Sequence, residues 1–222
     1  MLLVINSRTL PYFTLSIAAF DRAETLIGYN QTMPTIYFAT TNPQKLQIGQ
    51  AICAQYGYDV EPVTLDIDEV QGEDAEYIIK DKARRAYELF GKPVVVSDDS
   101  WGIRALRGFP GAYMKSMNHW FSSEDFLHLM NGRDDRRITL YQYLAYNDGK
   151  NIEVFCNEID GTIVDSPRGS SDVPPISQIV ALDQDNGKTI GEVFEQDDHT
   201  FADRYITRRE VWHKLMDWYT KK

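Results

Sequence analysis

Three carboxylates and one lysine stand where side chains can act on a phosphorylated ligand. Asp98 and Asp99 follow the apolar run Val94–Val96, which reads as a short buried strand ending at the two acids. Side chains alternate along a strand, so the two aspartates point to opposite faces and one of them meets a given ligand directly. Mg²⁺ prefers one or two carboxylates plus substrate phosphates. Asp99 is then the metal ligand or the water-activating base with Asp98 in support, or the two roles are exchanged. Glu69 lies on the preceding loop, in DIDEVQGEDAE. By itself it reads as one more member of a solvated acidic run, but beside the aspartates it completes a metal shell. In TTNPQK, Thr40 to Lys45, a strand gives way to a helix with Asn42 as its cap and proline at the first helical position. Free amides at a helix start attract phosphate oxygens, and Lys45 in the first turn reaches the same anion. A capped helix with a solvated lysine is the plainer account of this motif alone. In RGFPGAY, Gly108, Pro110 and Gly111 make a tight turn beside the acids that lets backbone approach a ligand.

These side chains need elements to hold them. Thr35–Ala39 is β-rich and alternating. Ile48, Ala51, Ile52 and Tyr56 then share one helical face. A second strand is expected near Tyr58–Leu65. Ile79, Ala83, Ala86 and Phe90 form another helical stripe, closed by Gly91. Ser122 caps a short helix carrying Phe126, Leu127 and Met130. Ile138–Tyr146 and Ile152–Cys156 flank Asn147-Asp148-Gly149-Lys150, a hairpin signal. Val211, Leu215 and Trp218 lie on a C-terminal helix. Strand, helix, strand, helix, strand and then a strand-rich half predict an α/β protein with a mixed sheet and two lobes.

Composition narrows the function classes. The 222 residues are 43% hydrophobic, with a formal net charge of −10. That length suits one large domain with a real core. The acidic balance disfavours nucleic-acid polymers and anionic membranes, while a local basic pocket or a bound cation still admits a small phosphorylated ligand. Cys53 and Cys156 are far apart and match no metal-ligand spacing, which suits a cytoplasmic protein. No apolar run reaches the length of a membrane-spanning helix. Residues 1–32 are expected to be an N-terminal extension, an over-called start or a flap, with a signal peptide disfavoured for want of a cleavage site. Residues 33–222 form the single two-lobed domain.

TTNPQK, DEVQGE, VSDDSWGIRALRGFPGAY and SPRG, in this order and spacing, resemble the inosine triphosphate pyrophosphatase family over Pro34 to about Leu215. The resemblance implies hydrolysis of deaminated purine nucleoside triphosphates such as ITP, dITP and XTP to the monophosphate and pyrophosphate. It also implies a two-lobed mixed sheet flanked by helices with a cleft between the lobes, Mg²⁺ dependence, with Mn²⁺ as a substitute, and a homodimer. By the same resemblance Thr40, Asn42 and Lys45 bind phosphate, Glu69, Asp98 and Asp99 hold metal, Asp99 and Lys45 are catalytic, and Ser100 contributes to substrate binding.

Departures cluster at the base-reading end. Trp101-Gly102 stands for Gly-Leu after Ser100, and Ile48 for a glutamate. Met114-Lys115-Ser116 stands for Ser-Ala-Arg, with Lys115 as the replacing cation. Val173, Pro174, Pro175 and Ile176 replace a block whose aromatics hold the base. Thr207-Arg208-Arg209 replaces Ser-His-Arg, and Asp203 lies near the place of a lysine. Arg208 and Arg209 are expected to face substrate, since two cations at a helix start oppose its dipole and favour an anion nearby. The phosphate end is thus preserved and the base end rewritten. The expected function is nucleoside triphosphate pyrophosphatase with relaxed base choice. The alternatives are the same fold with changed base specificity and a catalytically retired nucleotide-binding protein.

Overall fold

A computed structural model describes residues 33–196 and 210–222. Residues 1–32, Asp203, Thr207, Arg208 and Arg209 lie outside the described residues. Strand β1 (Thr35–Ala39) leads into helix α1 (Pro43–Gln55), β2 (Asp59–Val63) and α2 (Ala75–Phe90). Then come β3 (Val94–Ile103), the short β4 (Pro110–Gly111), α3 (Met114–Trp120) and α4 (Ser123–Leu129). The hairpin β5 (Arg137–Asn147) and β6 (Ile152–Ile163) is followed by β7 (Val180–Leu182), α5 (Ile190–Glu195) and α6 (Glu210–Tyr219). The strands form one sheet in the order β2-β1-β3-β5-β6-β7, with β4 beside β3. β1 runs parallel to both β2 and β3, and the later pairs are antiparallel. The mixed α/β sheet with flanking helices is therefore as the order of elements predicts.

Two lobes arise because the long strands pass through more than one core. Val95 of β3, Leu144 and Tyr146 of β5 pack with Ile36, Phe38, Ile48, Ile52, Trp212 and Leu215 under α1 and α6. Val94, Val96 and Ala145 pack on the other side of the sheet against Ile79, Ala83 and Ala86 of α2. Farther along the same strands, Trp101, Ile103, Ile138 and Leu140 belong to a separate core with Met114, Met117, Phe126, Ile163 and Ile176.

The expectation that β3 stops at the aspartates is corrected. It runs on for ten residues, paired with β5 from Val94↔Asn147 to Ile103↔Ile138. Asp98 and Asp99 sit mid-strand, where the chain leaves one core for the other, so tertiary pairing overrides the low strand preference of aspartate. The RGFPGAY turn folds back as β4, with Gly102 opposite Pro110 and Trp101 opposite Gly111. Gly108 and Gly111 hold positive φ, 92° and 61°, which glycine adopts freely.

Candidate functional site

The β1–α1 turn is built by its own side chains. Thr40 Oγ1 accepts from the Asn42 N–H at 3.1 Å, and Asn42 Oδ1 accepts from the N–H groups of Gln44 and Lys45 at 2.9 and 3.2 Å. Pro43 has no N–H. The expectation of free amides for phosphate is therefore corrected, because the cap already satisfies the Gln44 and Lys45 donors. What the turn offers an anion is the Thr40 hydroxyl, the Asn42 amide nitrogen, the positive end of a 13-residue helix and Lys45.

A cavity of about 350 Å³ opens over this turn, within the range of roughly 300–1,000 Å³ usual for small-ligand sites. Thr40, Asn42 and Lys45 line it together with Glu69, Lys82, Asp98 and Lys115. An adjoining cavity of about 500 Å³ is lined by Glu69, Asp98, Asp99 and Lys115 and runs on to His119 and Trp120. The alternation rule holds in the first cavity, which Asp98 lines and Asp99 does not. It fails in the second, which both aspartates reach. Ser100 is buried within β3 at 5% exposure and lines neither cavity. Ser97 takes part in the first instead.

Lysines and carboxylates interlock here. Lys45 Nζ lies 2.9 Å from Asp99 Oδ2, and Lys82 Nζ lies 2.5 Å from Glu69 Oε1. Lys82 also donates to the Ser97 carbonyl at 3.1 Å, and the Asp99 N–H donates to Asp98 Oδ1 at 2.9 Å. Burial works to raise the Glu69 pKa, but the Lys82 hydrogen bond and the charges of Lys82, Lys115 and Lys45 hold it below the ordinary value. Asp98 goes the other way. Burial pushes its carboxyl up, helped by the nearby Glu69 charge and against the pull of Lys82 and Lys45. Among the described residues no three acidic, histidine or cysteine side chains gather into a cation cage of their own. Glu69 and Asp98 in one cavity do fit the mode in which Mg²⁺ takes one or two carboxylates and completes its shell with water and phosphate.

Lys82 was missing from the sequence reading, and its signal was there. It falls between Ile78, Ile79, Ala83 and Ala86, the buried face of α2, where a solvated lysine has no place. Its side chain is 15% exposed.

The departures noted in the sequence also have positions. Ile48 is a core residue beside Trp212, and Trp101 joins the core with Met114, Phe126 and Ile176. Ile176 and Ile179 are buried there as well, so the rewritten block after SPRG packs the lobe and offers no aromatic face. Gly169 in SPRG keeps its place because a Cβ there would fall 2.1 Å from the Glu192 nitrogen at the start of α5.

Residues 36–212 match the Ham1 family. The chain belongs to that family. A dITP/XTP pyrophosphatase from Methanopyrus kandleri is 36% identical over 135 residues, 60% of this chain and 72% of that protein. An inosine triphosphate pyrophosphatase from Emericella nidulans is 31% identical over 189 residues, 83% and 98% of the two chains. In fold, this Ham1 family member is similar to a HAM1 protein from Coxiella burnetii, with a TM-score of 0.69 at 20% identity, covering 86% of this chain and all of that one.

Proposed function

We propose that this protein hydrolyses ITP, dITP or XTP to the nucleoside monophosphate and pyrophosphate, with help from a divalent cation. The observation that carries this reading is one cavity that joins the β1–α1 turn, with Lys45, to Glu69, Lys82, Asp98 and Lys115. The names of the relatives from Methanopyrus kandleri and Emericella nidulans point the same way.

In this reading the ion pairs are exchanged on binding. Lys45 and Lys82 leave Asp99 and Glu69 for phosphate oxygens, and Lys115 closes on the same chain from α3. Glu69, released from Lys82, and Asp98 would then hold Mg²⁺, or Mn²⁺ in its place. When bound, the cation neutralises the polyphosphate and supplies Lewis-acid polarisation. Asp99 orients the attacking water and accepts its proton as the oxygen adds to the α-phosphorus. The bond to the bridging oxygen breaks, and pyrophosphate leaves with its charge matched by the lysines. The same reading has the protein acting as a homodimer in the cytoplasm, the dimer to be checked as twice the chain mass by light scattering.

A nucleotide panel with Mg²⁺ tests the reaction. Pyrophosphate is expected from ITP and XTP, and with little preference over GTP, because the block after SPRG supplies no aromatic ring to the base. Orthophosphate as sole product excludes the proposed bond. A strong preference for ITP over GTP overturns the relaxed base choice.

A further inference from the structure

The second cavity extends past the phosphate groups in one direction, along α3. Lys115, Ser116, His119 and Trp120 line it from one face of that helix, at i, i+1, i+4 and i+5. From Lys115 to Trp120 the helix rises about 7.5 Å. That offset separates a cation placed on phosphate from a ring placed beyond the sugar.

Trp120 is the tryptophan without a packing task. Trp101 and Trp212 are each buried in a core, and Trp218 joins Tyr146, Phe155 and Tyr219 in an aromatic cluster. Trp120 is 70% exposed at the wall of a cavity whose other end is charged. A large apolar ring in that place suits a partner that is flat and apolar on its face and charged at its tail. The stretch that would otherwise carry a stacking ring is tied to α3 and α4. The Ile176 N–H donates to Asn118 Oδ1 at 3.3 Å, and Ser123 Oγ donates to the Pro175 carbonyl at 3.0 Å. The same bracing that sinks Ile176 into the core holds the neighbouring helix face toward the cavity.

We propose that Trp120 is the stacking face for the nucleobase of the substrate, with the triphosphate running from Lys115 toward Lys45 and Lys82. This rests on the reading of the protein as a nucleoside triphosphatase. Stacking reads the π-face and not the ring substituents, so it holds hypoxanthine, xanthine and guanine alike.

The variants Trp120→Ala and Trp120→Phe test it, with steady-state kinetics on ITP and GTP, calorimetry with the α,β-methylene analogue of ITP, and inhibition by inorganic tripolyphosphate. Trp120→Ala is expected to raise KM and the analogue's Kd about tenfold for both bases. Its kcat stays near wild type, tripolyphosphate inhibits as before, and Trp120→Phe restores most of the affinity. A KM for ITP that does not move in Trp120→Ala overturns the stacking role while leaving the hydrolase intact. Analogue binding that depends on Trp120 in a protein releasing no pyrophosphate sinks the hydrolase reading and keeps the stacking role. A change of molecular mass with equal weakening of ITP and tripolyphosphate marks Trp120 as an interface residue and also overturns the proposal.

Discussion

At the scale of single residues, Lys82 and Asp98 show opposite relations to the fold. Lys82 occupies the apolar face of α2 and pairs there with Glu69 and the Ser97 carbonyl. Charged hydrogen bonds of this kind contribute roughly 1.5–3 kcal/mol each. If Lys82 exchanges Glu69 for phosphate, Lys82→Met lowers kcat/KM by about 10- to 100-fold, and an unchanged value in pyrophosphate-release assays removes it from the site. Asp98 pays for its position, since its folded-state pKa is raised by burial. A carboxyl raised in this way binds protons more readily folded than unfolded, so its ionised form at neutral pH works against folding and stability is regained as pH falls through the folded pKa. Glu69 has the reverse sign: its depressed pKa contributes stability above the unfolded value, lost as pH falls through the folded one. At pH 7 Asp98→Asn is therefore expected to raise the Tm and Glu69→Gln to lower it, while both depress turnover. Equal Tm shifts of one sign in the two variants would show that burial and the lysine pair have been misassigned. For Asp99→Asn and Lys45→Ala the expected losses of kcat are roughly 100-fold or more, with circular dichroism unchanged.

At the scale of elements, α1 positions Lys45 by packing and not by propensity. Ile48, Ile52 and Cys53 sink into the core with Trp212, and Gly49 leaves room for the indole, since a Cβ there would fall 2.7 Å from its Cζ2 atom. Ile52→Ala is expected to destabilise the protein by about 2–5 kcal/mol, read as a lower midpoint in urea unfolding; a midpoint within error of wild type would show that α1 is held by something other than this face. Local chemistry made much of this visible beforehand. Asn42-Pro43 marks the start of α1, Gly91 with φ 72° closes α2, Ser122 caps α4 in a capping box with Asp125, and Asp148-Gly149 turns the β5–β6 hairpin. The readings failed where distant pairing decides. β3 continues past its aspartates because β5 lies alongside, and β4, α3 and α5 depend on partners that no short window of sequence reveals. Within the site, Lys45, Glu69 and the aspartates were legible as chemistry. The burial of Ser100 was not, since β5 alongside β3 fixes it, whereas the Asn42 cap on the Gln44 and Lys45 amides and the place of Lys82 on the apolar face of α2 are both written in local sequence.

At the scale of the molecule, the described residues form one compact unit from Met33 onward, β1 opens at Thr35, and the family match begins at residue 36. Every side chain assigned to phosphate or cation above lies within that unit. Within it, Ile36 and Phe38 of β1 pack against Ile52, Trp212 and Leu215. A chain that starts at Met33 is therefore expected to keep the fold, the cation requirement and the reaction. Its urea-unfolding midpoint and its kcat/KM for ITP should agree with those of the full 222-residue chain within about twofold in rate, a difference of roughly 0.4 kcal/mol. A kcat/KM more than tenfold lower at an unchanged midpoint would place part of residues 1–32 in the working site, and a collapsed midpoint would make them part of the folding unit. Either result overturns the division at Met33.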